Sequence, residues 1–247
     1  MKKTKIIMGM PITVEVVDTI SASELNRVFE YFKSVDERFS TYKATSEISK
    51  INKGLPKKQW SPQMKAVLDL CEETKKLTRG YFDISLGGKL DPSGLVKGWS
   101  VHNAAQILLG KGAKNFYIEA GGDIQAHGMS PDDEPWTVGI RNPFVVHEII
   151  KVVRLSNQGM ATSGTYIRGQ HIYNPHVAGQ EITNVKSMTV IASDVYEADR
   201  YATAAFAMGE RGISFIEETP GLEGYMVNSE KVATYTSGFE GYVDRDA

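Results

Sequence analysis

VKSMTVIASDVYEADRYATAAFAMG, residues 185–209, places a strand directly before a helix. Its first eight residues are rich in β-branched and apolar side chains, the composition of a strand. Asp194 then supplies an N-cap, Glu197 sits at the third helical position from which it can reach back, and Gly209 ends the helix. Asp199 and Thr203 lie four residues apart and share a face with Ala202 and Phe206, so an acid sits on a partly buried, alanine-rich side. An unpaired carboxylate there is costly. A hard divalent cation such as Mg2+, which takes oxygen ligands, would compensate it. Pairing with Arg200, Arg168 or Lys97, or exposure at the helix edge, would do so equally.

Toward the N-terminus, helical patterns dominate. Ser21 with Glu24 forms a capping-box signature, followed by Leu25, Val28, Phe29, Phe32, Val35 and Phe39 at helical spacing. Ser61 and Pro62 open a second helix that carries Val67, Leu68, Cys71 and Leu77 inward and stops at Gly80. A third is expected from about residue 98 to 109, with Val101, Ala104, Ala105 and Leu108 inside. Strand patterns occupy residues 12–17, 115–119, 136–141, 149–155, 185–192 and 224–227. Helices gathered early and strands late predict an α+β fold with a mixed or antiparallel sheet, not alternating βαβ units. A single domain over residues 1–247, built as two tightly joined lobes, suits that length.

Composition narrows the function. The 28 basic and 30 acidic residues give a net charge of −2, without the electrostatic footprint of a nucleic-acid or anionic-membrane binder. The single Cys71 leaves no internal disulfide or thiolate zinc site, and reads as a small core residue. MKKTKIIMGMPITVEVV begins with lysines before apolar residues, but Gly9, Pro11, Thr13 and Glu15 interrupt the run. It reads as a first strand of a cytoplasmic protein, and no membrane span is expected.

Three further segments bear chemistry. DPSGLVKGW, residues 91–99, reads as a glycine-bearing turn feeding a helix. Its backbone N–H groups and Lys97 suit a phosphate, although it lacks P-loop spacing and also fits a plain helix entrance. In AGGDIQAHG, residues 120–128, Gly121 and Gly122 let backbone pass close to a bulky group and Asp123 can accept hydrogen bonds; a hairpin or bulge explains them as well. ATSGTYIRGQHIYNP, residues 161–175, looks too polar for a buried strand and too regular for a loose loop. Thr162, Ser163 and Thr165 could line an anionic group that Arg168 binds, and His171 is the one histidine set beside all of them.

These segments, with FSTYKATSEISKIN (residues 39–52), GYFDIS (80–85) and MGMPITV near the start, resemble in order the motif series of the FAD:protein FMN transferases, the ApbE-type family. The resemblance covers nearly the whole chain and implies an ApbE-like fold. It implies Mg2+ held by Asp199, Thr203 and a backbone carbonyl of the DPSGLVKG turn, that of Gly94. Tyr42 matches the aromatic near the isoalloxazine ring. Met8, Asp91, Lys97, Gly121, Gly122, Asp123 and the run Thr162, Ser163, Gly164, Thr165 match positions around the dinucleotide. His171 matches the histidine that helps deprotonate the attacking hydroxyl, and Asp199 is essential to catalysis through the metal.

The implied reaction splits FAD and attaches FMN to a threonine or serine of a client flavoprotein, releasing AMP. Such an enzyme must neutralise charge on the pyrophosphate, align the nucleophile and manage one proton. A neutral imidazole, with an unperturbed pKa near ~6.5, can take that proton. Water as acceptor would make the protein an FAD pyrophosphatase, and loss of chemistry would leave a noncatalytic flavin-binding protein. The chain departs from the family in several places. Seven residues, 84–90, separate Asp83 from Asp91 where a longer insert is usual. His102 replaces a common acid, and Asn174 and His176 replace the usual acid and base. No lipobox cysteine follows the N-terminus, so the lipid-anchored form is not expected.

Overall fold

The computed structural model describes residues 1–145, 147–164, 172–177 and 181–245. In chain order its strands and α-helices are β1 (Lys2–Ile7), β2 (Met10–Val16), α1 (Ala22–Phe39), α2 (Glu47–Ile51), α3 (Pro62–Leu77), β3 (Ser85–Leu86), β4 (Lys89–Leu90), α4 (Ser93–Leu109), β5 (Phe116–Ala120) and β6 (Asp123–His127). They continue with β7 (Trp136–Arg141), β8 (Ile149–Leu155), β9 (Gly159–Gly164), β10 (Val185–Ala192), α5 (Val195–Ala207), α6 (Gly212–Glu218), β11 (Glu223–Asn228) and β12 (Ala233–Tyr235).

Eight strands form one antiparallel sheet in the order β1-β2-β5-β6-β9-β10-β11-β12, as the α+β reading requires. On one face, α1 and α4 close a core with Ile12, Val14, Phe116 and Ile118, while α5 and α6 close another with Ala161, Met188 and Val190. The β7–β8 hairpin covers the opposite face through Trp136, Val138, Val153 and Leu155. Central strands are therefore buried on both sides, which is why β10 is buried almost throughout and does not alternate. Among the described residues no helix is long and apolar enough to cross a membrane.

Several elements differ from the sequence reading. The N-terminal run forms two strands, because Met8 (φ 56°) and Gly9 (φ 73°) both adopt the left-handed conformation that turns a tight hairpin. Gly121 (φ 58°) and Gly122 (φ 96°) make the same kind of turn between β5 and β6, so the hairpin reading of AGGD holds. The start of ATSG is the end of a strand, β9, whose polar side chains find partners: the Thr162 and Thr189 hydroxyls lie 2.8 Å apart. A second late helix, α6, follows α5.

Helix ends follow local chemistry closely. Ser21 and Glu24 complete the reciprocal capping box of α1, with the Ser21 N–H donating to Glu24 Oε2 at 2.9 Å and the Glu24 N–H donating to Ser21 Oγ at 3.2 Å. Asp194 caps α5 by accepting from the N–H groups of Tyr196 and Glu197 at 2.9 and 3.0 Å. Glu197 does not reach back as the capping-box pattern suggests. It accepts from Arg200 Nη2 at 2.7 Å, because that guanidinium is held against the Tyr196 and Tyr201 rings and offers a charged partner.

Candidate active site

Helix α4 begins at Ser93, more than a turn before the expected start, so Gly94, Lys97 and Gly98 are helical. Asp91 supports this start by accepting the Ser93 N–H at 3.0 Å. Two glycines four residues apart weaken a helix by propensity, and their reason lies across the interface. A Cβ on Gly98 would stand 2.5 Å from Asp199 Cβ and 2.6 Å from the Val195 carbonyl oxygen; one on Gly94 would stand 3.1 Å from Thr203 Cγ2. The glycine stripe of α4 thus lets α5 approach with its Asp199 and Thr203 face.

At this crossing two backbone groups of α4 bond to α5. The Gly98 N–H donates to Asp199 Oδ2 at 2.7 Å, and the Gly94 carbonyl accepts from Thr203 Oγ1 at 3.2 Å. A regular helix would pair these same two groups with each other, four residues apart. Ser163, on β9, brings its hydroxyl to 3.5 Å from Thr203 Oγ1. A carboxylate, two hydroxyls and a carbonyl therefore converge, every donor atom an oxygen.

Asp123, at the start of β6, adds a second carboxylate. Both acids are buried, at 1% exposure for Asp123 and 3% for Asp199. Burial, reinforced by repulsion from Asp123, holds the Asp199 carboxyl well above the usual carboxylate range; Lys97 and the Gly98 N–H offset only part of this. Lys97 Nζ stands 2.8 Å from Asp123 Oδ2 and 3.9 Å from Asp199 Oδ1. The shorter contact is an ion pair by distance, although Asp123 Oδ2 accepts no hydrogen bond of good angle. The other Asp123 oxygen accepts from the Thr162 N–H at 3.4 Å. Of the three partners considered for Asp199, Arg200 is committed to Glu197, Lys97 stands at ion-pair range, and Arg168 lies outside the described residues.

The crossing opens into a cleft enclosing about 1130 Å³, counting its mouth to solvent. Asp91, Gly94, Lys97, Gly121, Thr162, Ser163, Gly164, Asp199 and Thr203 line it, so most of the residues picked from the sequence meet in one place. Asp123 lies buried beside Lys97 without forming part of the wall. Gly122 completes the turn next to Gly121. Met8 is half-buried at the tip of the first hairpin, and Tyr42 is 98% exposed; neither is among the lining residues. Thr165 and His171 lie outside the described residues, while Gly164 and Ile172 on either side of that stretch both face the cleft.

Sequence reasoning missed one wall. Tyr81, Phe82, Asp83, Ile84 and Ser85 line the cleft, as do Tyr173 and Pro175. Their signal was present in GYFDIS and IYNP, motifs from which no site residue had been drawn. The two segments are fastened together: the Tyr81 and His176 rings stand 4.4 Å apart, and His176 Nε2 lies 3.1 Å from the Arg79 carbonyl. Among the described residues no group of three His, Cys, Asp or Glu could hold a metal, so any cation here depends on hydroxyl and carbonyl oxygens as well as carboxylate.

Comparison with known proteins gives a consistent result. The model of the ApbE family matches residues 8–89 and 86–226. The two matched stretches meet at the β3–β4 hairpin. The chain is 26% identical to the FAD:protein FMN transferase of Vibrio cholerae over 256 residues, covering 79% of this chain and 75% of that protein. It is 29% identical to the Haemophilus influenzae protein of the same name, covering 68% of this chain and 50% of that one. Against the latter relative, the match spans half the length. In structure it resembles the flavin transferase ApbE from Vibrio cholerae, with a TM-score of 0.85, 22% identity and 98% of each chain covered. It also resembles the apbe protein from Thermotoga maritima, with a TM-score of 0.86, 21% identity and 99% of each chain covered. At these identities the structural likeness shows the fold.

Proposed function

The chain belongs to the ApbE family, and from that premise we propose that it is a flavin transferase moving FMN from FAD to a threonine or serine hydroxyl of a client flavoprotein, with release of AMP. The name shared by its curated relatives supports the reaction. The observation that carries the reading to this chain is the oxygen cluster of Asp199, Thr203 and Gly94, its carboxylate buried, at the wall of a cleft open to solvent.

Asp199, Thr203 and the Gly94 carbonyl would hold a hard divalent cation, Mg2+ in this reading. The donor set fits: its atoms are all oxygens, and the Asp199 carboxylate is buried beside a second one, so added positive charge is favourable. Bound there, the ion would neutralise charge on the pyrophosphate and favour departure of AMP. The rest is work for the chain itself. Gly121 presents backbone without a side chain at the cleft wall, and Ser163 and Gly164 offer a hydroxyl and a strand end to the phosphates. Tyr81, Phe82 and Tyr173 provide apolar and aromatic surface for a planar ring. Tyr42, exposed as it is, would cover the isoalloxazine once FAD is bound. His171 is proposed to take the proton of the attacking hydroxyl.

The test is to mix the protein with FAD, Mg2+ and a candidate client flavoprotein, then follow the client by mass spectrometry and AMP by chromatography. A gain matching FMN on one hydroxyl, with matching AMP release, is expected. AMP released equally fast without a client would assign the cleft to FAD hydrolysis, and FAD bound without AMP release would remove catalysis.

A further inference from the structure

We propose that Asp123 is a positioning residue: it holds the Lys97 ammonium off Asp199 and so keeps one oxygen of Asp199 open to a divalent cation. The inference rests on the cation-binding reading above. Asp199 has two oxygens with different fates. Oδ2 is taken by the Gly98 N–H at 2.7 Å. Oδ1 faces Lys97 Nζ at 3.9 Å, about an ångström beyond direct contact, while the same Nζ touches Asp123 Oδ2 at 2.8 Å.

Asp123 is suited to this task because it is fixed. It starts β6 directly after the Gly121–Gly122 turn, is almost wholly buried, and accepts the Thr162 N–H through its other oxygen. Lys97 projects from the third residue after Gly94 on the same helix and has a flexible stem, so the lysine is the partner that can move. The charge count explains why its position matters. Two carboxylates and one ammonium leave a negative charge that a dication can answer. With Asp123 neutral, Lys97 and Asp199 would form a self-sufficient pair, and a cation would have to displace the lysine.

The experiment is a double-mutant cycle read by cation affinity and not by activity. Binding of Mn2+ is followed by electron paramagnetic resonance, with Mg2+ as competitor, with and without FAD. The proteins are the wild type, Asp123→Asn, Lys97→Met and the double variant. Asp123→Ser is run beside Asp123→Asn as a second neutral replacement, and circular dichroism reports folding. Neutralising Asp123 is expected to weaken Mn2+ binding about tenfold or more, a change within reach of one nearby charge in a low-dielectric site. Adding Lys97→Met should recover most of that loss, while Lys97→Met alone should change affinity far less. Equal effects of Lys97→Met in both backgrounds would overturn the inference and leave the metal reading standing, because Asp123 would then act only through its own charge. No saturable Mn2+ binding by the wild type, with or without FAD, would overturn both.

Discussion

Replacing Gly98 by alanine tests the helix crossing on which the candidate site depends. The new Cβ would stand 2.5 Å from Asp199 Cβ and 2.6 Å from the Val195 carbonyl oxygen, whereas ordinary contact begins at 3.4 Å. One obstacle is backbone and the other is the root of a side chain, so no rotamer change relieves the clash. The helices must part by roughly the difference, 3.4 − 2.5 = 0.9 Å. Overpacking of this kind costs about 1–3 kcal/mol, and alanine returns about 1 kcal/mol of helix propensity. The net loss is about 0–2 kcal/mol, or up to roughly 8 °C in Tm for a chain of this size.

The functional loss should exceed what stability alone explains. The Gly94 carbonyl belongs to α4, while Asp199 and Thr203 belong to α5, so separating the helices splits the oxygen cluster. Gly94→Ala is the internal comparison, because its Cβ would meet Thr203 Cγ2 at 3.1 Å and so needs a smaller shift. Thermal melts with and without Mg2+, beside an FMN-transfer assay, should rank wild type above Gly94→Ala and Gly94→Ala above Gly98→Ala. A Gly98→Ala protein that melts at or above the wild-type temperature and transfers FMN at the wild-type rate would refute the reasoning.

Asp199→Asn should abolish transfer yet melt no lower than wild type in EDTA: the amide oxygen still accepts the Gly98 N–H, and a buried charge disfavoured by its surroundings is removed. A large drop in metal-free stability would show that the carboxylate holds the fold. His102 Nδ1 lies 3.6 Å from Asp194 Oδ1, and the nearby Asp194 carboxylate raises the imidazole pKa against the opposing effect of burial. Burial raises the Asp194 carboxyl, but the His102 imidazole beside it and hydrogen bonds from the Glu197 and Tyr196 N–H groups outweigh burial and leave the value lowered. The pair therefore stabilises fully below the unfolded histidine value of 6.5, loses that contribution as pH rises through the raised folded value, and loses the Asp194 share as acid protonates it. His102→Gln should show its largest Tm deficit in mildly acidic EDTA buffer and little deficit in alkaline buffer, whereas a constant deficit would assign His102 to packing. Tyr42→Ala should leave Tm unchanged, since the ring is 98% exposed, and weaken FAD binding in a fluorescence titration; unchanged FAD affinity would remove Tyr42 from the flavin site.

The sequence alone determined what depends on neighbours along the chain. Ser21 and Glu24 fixed the start of α1, Asp194 fixed that of α5, and alternating or apolar runs marked β7, β8 and β10, because capping and strand patterning are satisfied within a few residues. Motif order picked out half of the residues that line the cleft, from Asp91 to Thr203. The tertiary structure decided what depends on distant partners. Local propensity set against two glycines delayed the expected start of α4, yet those glycines are helical because α5 occupies the space their side chains would need. β9 could not be recognised as a buried strand until Thr162 met Thr189, and the pairing of Lys97 with Asp123, 26 positions on, shows only once the fold brings them within 2.8 Å. Buried polar groups are stable only when paired, and these pairs join residues far apart in the chain, so only the folded sheet and its crossing helices could reveal them.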